Sequence, residues 1–266
     1  MNVTQTTDRV ETRPTREASA FGRVFRAHLV NESRLLMREP AALIFGAVLP
    51  ILAIIVMVVF PAARRPLPEF GGFSVVQTYT PTITLFATSI LGLTVMPGIL
   101  GSYRQTGVLR RLRTTPSSPA TLLAALAALI TVVGVVVAAV IVLIPVVVGV
   151  GLPAGLGWFT VANVGSLLSF VALGTVLAAV VPNPKAAAGV GNVIAAIMWF
   201  SAGMWLPRVA FPDWLITLTD LTPGGAATQA MHDATAGAGI GWQPYAVLAA
   251  WTLVAALVAV RTFRWE

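Results

Sequence analysis

The sequence predicts an all-α polytopic membrane protein, and three observations lead to that prediction. Of the 266 residues, 57% are hydrophobic and only 10% are charged, against roughly 25% charged in a soluble domain. The mean hydropathy is +0.85. Uncharged apolar windows recur at about the 20-residue length that crosses the hydrocarbon core of a bilayer. The lack of cysteine also excludes a disulfide scaffold and a cysteine-ligated metal centre.

The first element is an N-terminal amphipathic helix. Residues 1–18 are polar, and we expect a disordered cytoplasmic tail there. Residues 19–39 place apolar side chains on one half of a helical wheel, interrupted by His28 and Glu32, and arginines on the other half. This pattern predicts a helix in the cytoplasmic membrane interface, although a helix packed on a partner protein remains an alternative. The residues that define the two faces are Phe21, Phe25, Arg23, Arg26, Arg34 and Arg38.

A six-span transmembrane domain follows over residues 40–262, with a short cytoplasmic tail at 263–266. Pro50 and Pro81 fall inside spans and indicate bends, because a proline frees a backbone carbonyl that neighbouring helices must then satisfy. The six expected spans are 41–60, 79–100, 120–148, 158–181, 186–206 and 245–260.

The distribution of basic residues predicts the orientation of the spans. Fourteen of the seventeen Lys and Arg residues fall on one side of the spans, either before span one or after spans two, four and six. Only Arg64, Arg65 and Arg208 fall on the other side. By the positive-inside rule both termini are cytoplasmic. Trp158 and Trp242 lie at expected outer ends of spans, where amphipathic rings favour the interface. The basic segments lack the aromatic interleaving of a nucleic-acid-binding surface, so we expect no nucleic-acid partner.

The loop between spans two and three, residues 102–118, is the most informative segment. Arginines alternate there with Val108, Leu109 and Leu112. Such a basic helix with apolar knobs could fit a hydrophobic cleft on a cytosolic partner. A simple positive-inside retention loop is the alternative, and spacing alone does not separate the two.

The segment between spans five and six, residues 207–244, is too long for a simple hairpin connection. Pro212 and Asp213 are typical of a helix start. An apolar stripe through Trp214 and Leu218 then continues until Thr222-Pro223, and a second helix is expected from Pro223 to Gly237. We expect this pair to lie on or dip into the outer leaflet, with an ordinary interfacial loop as the alternative.

Together these segments resemble a permease subunit of the ABC-2 family of ATP-binding-cassette transporters, of the daunorubicin/doxorubicin-resistance type, over residues from about 20 to 262. The resemblance implies that loop 102–118 forms a coupling helix on a nucleotide-binding subunit, and that the outer segment forms short re-entrant helices that gate the pathway. Many members carry a glutamate where this chain has Gln105, so its arginines would require an acidic or carbonyl-rich partner surface. The coupling residues would be Gly107, Leu109, Arg110, Arg111, Leu112, Arg113, Thr115 and Pro116, and the outer gate residues Phe211, Pro212, Trp214, Leu218 and Pro223.

The sequence also shows which chemistry is missing. There is no Gly-x-x-x-x-Gly-Lys-Ser/Thr phosphate-binding loop, so we expect ATP and Mg to be bound by a separate ATPase subunit and no cofactor by this chain, which is then not itself an enzyme. No acid falls inside an expected span, which argues against an ion-coupled carrier.

The expected assembly is two permeases, either two copies or one copy and a paralogue, with two cytosolic ATPase subunits, among membrane lipids. It would export hydrophobic drugs or lipid-like molecules, as in multidrug efflux and antibiotic resistance, across a bacterial plasma membrane. A non-transporting membrane scaffold is the alternative from another class, and a secondary carrier is a third.

Overall fold

The computed structural model describes residues 14–108, 119–238 and 241–262, and within these ranges the chain forms nine helices and no strand. We number them α1 to α9. Their bounds are α1 Pro14–Leu36, α2 Pro40–Val59, α3 Val75–Gln105, α4 Pro119–Val147, α5 Leu156–Val180, α6 Pro184–Ser201, α7 Asp213–Asp220, α8 Pro223–Ala236 and α9 Trp242–Thr262. The all-α membrane fold predicted from the sequence is confirmed.

Five of these helices, α2, α3, α4, α5 and α9, are long and apolar enough to cross a membrane. The fifth expected span, 186–206, corresponds to α6, which is not among the five. α6 has 18 residues, about 27 Å at 1.5 Å per residue. It ends five residues earlier than expected because Gly203 takes a positive φ of 78° directly after the helix.

Contacts along α6 nevertheless show that it traverses the bundle. Pro184 packs against Gly101, Gly191 packs against Leu93, and Trp199 donates a hydrogen bond to Ser89. As the residue numbers along α6 increase, the residue numbers of its partners on α3 decrease, so the two helices are antiparallel. α6 therefore runs beside α3 within the bundle, although it is not among the five helices that are long and apolar enough to cross a membrane.

The second span, α3, is longer than the expected 79–100. A capping box moves its start to Val75: Ser74 Oγ accepts from the backbone N–H of Gln77, and Gln77 Oε1 accepts from the N–H of Ser74. The helix then continues to Gln105. It is the most enclosed of the five spans, whereas α2 and α9 are the least.

The N-terminal helix differs from the expectation in both its bounds and its contacts. α1 begins at Pro14, so the prediction that residues 14–18 belong to a disordered tail is wrong; proline suits the first helical position because its missing N–H has no partner there anyway. The helix packs on α4. Its inward face ends with Glu32 and Leu36, which are buried, whereas Leu35 is exposed. Burial of Glu32 is compensated by a hydrogen bond from the hydroxyl of Tyr103.

Each end of the bundle contains one arginine that bonds to neighbouring helices, and we name the two ends after Arg104 and Arg208. The Arg104 end contains Leu36, the start of α6 and the end of α5, where Arg104 Nη1 donates to the carbonyls of Ala178 and Ala179. The Arg208 end contains the loop before α3 and the α7–α8 pair.

The α7–α8 pair re-enters the bundle from the Arg208 end. Trp251, nine residues along α9, donates a hydrogen bond from Nε1 to the carbonyl of Leu221 at 2.9 Å. A Cβ on Gly224 would lie 2.7 Å from the carbonyl of Met198, within α6. The turn between α7 and α8 is therefore inside the bundle, and the structure contains the two helices expected from Asp213 and from Pro223.

Small residues explain why α8 can be buried. Its first turns contain glycine and alanine, which let backbones approach closely. Most of the helix is buried, and its alanines and Met231 join the main core cluster with Phe159 and Phe170. Backbone polar groups at membrane depth are tolerated only when protein surrounds them, as it does here.

A candidate transport groove between three spans

A large groove lies between α2, α3 and α6, with a volume of about 970 Å³. Its lining is mostly apolar, and it extends from the Arg104 end to the middle of the bundle. The residues that define it are Phe45, Phe86, Ile90, Thr94, Asn192 and Trp199. We call it the groove. Its size is at the upper end of the usual range for small-molecule sites, roughly 300–1,000 Å³.

Two π-helical turns form part of the groove wall. One is Ile44–Val48 in α2 and the other is Leu91–Val95 in α3, and in each the second residue after the turn is a proline, Pro50 or Pro97. A proline inside a helix has no N–H to donate and clashes with the carbonyl four residues back. The wider π turn takes up this mismatch, and such turns are frequent at functional sites.

Two glycines from neighbouring spans lie against the carbonyls that the N–H of an ordinary residue at position 97 would reach in an α or π turn. Those carbonyls belong to Gly92 and Leu93, five and four residues before the proline. A Cβ on Gly174 of α5 would lie 2.0 Å from Gly92 O, and a Cβ on Gly191 of α6 would lie 1.7 Å from Leu93 O. Gly191 lies on a stripe of small residues with Ala187 and Ala195 of α6, and all three are buried within this chain. Weak Cα–H···O contacts suit this geometry.

Polar side chains on the groove wall are few and are paired. Thr94 Oγ1 donates to Asn192 Oδ1 at 2.7 Å. Trp199 Nε1 donates to Ser89 Oγ at 2.7 Å, and its ring lies 4.8 Å from that of Phe86, centroid to centroid. The groove is thus apolar in its interior, with one exposed amide–hydroxyl pair halfway along.

The groove opens at the Arg104 end beside two charged residues, Glu39 and Lys185. Lys185 lies in the first turn of α6, whose N-cap Asn183 accepts from the Lys185 and Ala186 N–H groups. Opposite charges at the mouth leave it close to neutral. A lipophilic molecule could therefore enter from the membrane interface without meeting a strong field of one sign.

Loop 102–118 leaves the bundle next to this mouth. Gly107 has a positive φ of 70°, which a glycine adopts without steric cost, so the chain turns sharply there. The base of the loop is held by two contacts already described, Tyr103 to Glu32 of α1 and Arg104 to the end of α5. The other expected coupling residues, Leu109 to Pro116, lie outside the described residues.

The arginines in and just after α1 are exposed. They are Arg23, Arg26 and Arg34 within the helix and Arg38 two residues beyond it, whereas Phe25 is partly buried. Phe21 lies in the helix. The apolar face packs on α4 of the same chain, which was not among the expected partners.

The outer gate residues fall into two groups in the structure. Phe211 is buried and stacks on Phe200, with 5.3 Å between ring centroids, and Pro223 is buried at the start of α8. Pro212 is the N-cap of α7. Trp214 and Leu218 are exposed, so the apolar stripe of α7 faces away from the core.

Arg208 joins these helices. Its guanidinium donates from Nη1 to the carbonyl of Gly225 at 2.9 Å and forms an ion pair with Asp220 through Nη2. Sequence reasoning counted Arg208 only as one of three basic residues on this side. Its partners lie 12 and 17 residues away, and no spacing rule connects them.

A helical bundle with five helices long and apolar enough to cross a membrane, and with a short helix pair inserted into one end, has the architecture of a polytopic membrane protein. The family model described as ABC-2 type transporter matches residues 23–234, about four-fifths of the chain, and the chain belongs to that family. It is thus a permease of an ABC transporter. No curated protein matches it significantly.

Sequence reasoning missed the groove itself. Neither π turn nor the glycine contacts could be assigned from periodicity, because each depends on which span lies next to which. The signal that could have drawn attention is the pair of intramembrane prolines, Pro50 and Pro97, each about one turn beyond a glycine, Gly46 and Gly92.

Proposed function

We propose that this chain is the membrane half of an ATP-driven exporter for hydrophobic drugs or lipid-like molecules. The observation that supports the proposal best is the groove, which is large, apolar in its interior and open at the end that the positive-inside rule assigns to the cytoplasm. A second permease, identical or paralogous, would close it. Two cytosolic ATPase subunits, which bind ATP and Mg, would dock on loop 102–118 and transmit the energy of ATP hydrolysis through it.

The proposed direction is outward across a bacterial plasma membrane. Substrate would enter the groove from the cytoplasmic leaflet, pass the Phe86–Trp199 ring pair and leave beneath the α7–α8 pair. Because the pair is inside the bundle, a movement of α7 and α8 would open or close the exit. The exposed Trp214 and Leu218 would then face the second permease or the outer leaflet.

The coupling assignment is tested by Leu109→Asp and Leu112→Asp. Each places a charge where an apolar knob should enter the ATPase surface, so we expect export to fall at least tenfold while the amount of permease in the membrane stays normal. Leu206→Asp is the matched control, since Leu206 is an exposed leucine at the opposite end. Undiminished export by both loop variants would remove loop 102–118 from the coupling role.

The groove assignment is tested by filling it. A Cβ on Gly98 meets no atom within 4 Å, and Gly98 lines the groove. Gly98→Phe should fold and assemble but block passage, so we expect lost export with ATP hydrolysis retained. Gly189→Phe, on a helical glycine that also has open space and does not line the groove, is the control. Equal export by the two variants would contradict the groove as pathway.

Reconstitution separates the proposal from its alternatives. With its ATPase subunit in vesicles, the permease should show ATP turnover that changes when lipophilic compounds are added. A scaffold would leave turnover unchanged. A secondary carrier would transport without ATP and stop when the proton gradient collapses.

A further inference from the structure

A second cavity lies at the Arg208 end and has a different chemistry from the groove. Its volume is about 410 Å³, and it is enclosed by the loop before α3, the first turns of α3, the end of α6 and the last turns of α8. We call it the outer cavity. The residues that define it are Glu69, Phe70, Phe73, Tyr79, His232 and Asp233.

The outer cavity continues the line of the groove. On α3 the groove is lined by Ile90 and Phe86, and the outer cavity by Thr82, which are spaced by four residues and so share one face of the helix. On α6 the last groove residue is Trp199, and Ala202 lines the outer cavity. A molecule leaving the groove past the Phe86–Trp199 pair would therefore meet this cavity next.

The charges of the outer cavity are predominantly negative. Glu69 and Asp233 contribute carboxylates, and Asp233 accepts a hydrogen bond from Gln229 at 2.9 Å. Arg208 is the one basic residue in the described lining, and its charge is already paired with Asp220. An anionic ligand would meet two carboxylates and no free cation here, so the electrostatic potential of the cavity favours a positively charged ligand.

His232 does not offset this negative charge. Burial, followed by the nearby Arg208 guanidinium, lowers the pKa of His232 to about 4, so its imidazole is uncharged at neutral pH. Its ring lines the outer cavity and makes no hydrogen bond to the described residues. It therefore presents a polar group whose partner has to come from the cavity.

Aromatic rings supply the rest of the lining. Phe70, Phe73 and Tyr79 come from one continuous segment and face the same space as the carboxylates. Carboxylates beside aromatic faces are the usual surroundings of an ammonium or other organic cation, whose charge is attracted to the ring quadrupole. A metal ion is a poor fit, because the described residues contain no group of three or more His, Asp or Glu that could hold one.

The geometry points to a binding site in the outer cavity for an organic cation with an apolar body, held by the Glu69 and Asp233 carboxylates and the Phe70, Phe73 and Tyr79 rings. Binding itself is independent of transport. The role of the site as the last station for a cationic, amphipathic export substrate rests on the function proposed above.

The test uses the purified full chain in phosphatidylglycerol nanodiscs, with tetraphenylphosphonium as the probe in equilibrium dialysis. Asp233→Asn keeps an acceptor for Gln229 but removes the charge, and Glu69→Gln removes the charge of an exposed side chain. We expect each variant to weaken probe binding about tenfold, which corresponds to about 1.4 kcal/mol, because each removes one carboxylate charge from the cavity lining. Thermal unfolding of both variants should match the parent chain.

Two controls define the site. Asp213→Asn makes the same charge change at the same end of the bundle, outside the cavity lining, and should bind the probe as tightly as the parent chain. Tetraphenylborate has the same shape with the opposite charge, and its partitioning should not differ between the parent chain and Asp233→Asn. Unchanged probe affinity in both Asp233→Asn and Glu69→Gln would overturn the proposal.

The source of the cation can be separated in the same assay. Nanodiscs that include phosphatidylethanolamine would displace the probe if the site takes a lipid ammonium group, and would leave it bound if the site takes a soluble amphiphile. The combined results of probe binding and ATP turnover distinguish failure of the cation site from failure of the proposed export function. Probe binding without any change in ATP turnover supports the site and contradicts the exporter, whereas lipophilic stimulation with no charge dependence contradicts the site alone.

Discussion

The contact between Gly191 of α6 and the π turn of α3 gives the sharpest prediction, through Gly191→Ala. A Cβ at this position would lie 1.7 Å from Leu93 O and 2.7 Å from its carbonyl carbon. An ordinary carbon–oxygen contact is about 3.4 Å, so α6 and α3 would have to separate by roughly 1.5 Å. No rotamer relieves the clash, because both atoms are fixed to backbone.

The cost of this change follows from overpacking. Inserting a methyl group into a well-packed interior costs typically 1–3 kcal/mol, and a backbone clash belongs at about the upper value. For a chain of this size about 3 kcal/mol corresponds to a drop in Tm of roughly 6–12 °C. Separation of α6 from α3 would also change the groove wall, so export should fall with stability.

Thermal unfolding of purified permease in detergent, followed by transport in vesicles, measures both effects. Gly189→Ala is the matched control, because it makes the same change two residues away on the same helix and its Cβ would meet nothing within 4 Å. It should keep or slightly raise Tm, since alanine is the better helix former by up to about 1 kcal/mol. Equal Tm values for Gly191→Ala and Gly189→Ala would refute the close approach of the two helices.

Three further predictions concern single contacts. Glu32→Leu should lower Tm because it leaves the hydroxyl of Tyr103 without its acceptor, and the double variant with Tyr103→Phe should recover part of the loss; no recovery would contradict the pairing. Arg208→Ala leaves Asp220 and the carbonyl of Gly225 without their donor, so limited proteolysis should cut the α7–α8 turn faster, and an unchanged digestion rate would contradict that role. His232 has a pKa of about 4 in the folded chain, against 6.5 in the unfolded chain. The unfolded chain therefore binds more protons between these two values, and the stability of the folded chain should fall as the pH is lowered from about 6.5 to 4. In a series of Tm measurements at different pH values, His232→Gln should remove that part of the pH dependence.

Apolar pattern and charge placement predicted most of the architecture. Five expected spans correspond to helices that are long and apolar enough to cross a membrane, and the re-entrant pair begins at the expected Asp213 and Pro223. These elements were predictable because their determinants are local: apolar length, a proline or acid in the first turn, and a glycine or proline at the end. α3 begins four residues before the expected boundary because the Ser74–Gln77 capping box starts the helix at Val75.

The site was predicted only in part, for a physical reason. Coupling residues were assigned from a loop motif, and the segment from Leu109 to Pro116 lies outside the described residues. The groove and the outer cavity combine α3 with helices that come about 100 or more residues later in the chain. Nothing in the local pattern near Thr94 indicates Asn192, and nothing near Glu69 indicates Asp233.

The sequence by itself determined that this is an all-α polytopic membrane protein, because the bilayer excludes charge from any span of about 20 residues whatever its neighbours are. Tertiary structure alone decided where two helices could come into backbone contact. A π turn precedes Pro97 in α3, and the carbonyls of Gly92 and Leu93 in that turn are approached closely by Gly174 and Gly191, which have no side chain to clash with them. That packing sets the position of α6, and with it the walls of the groove and of the outer cavity.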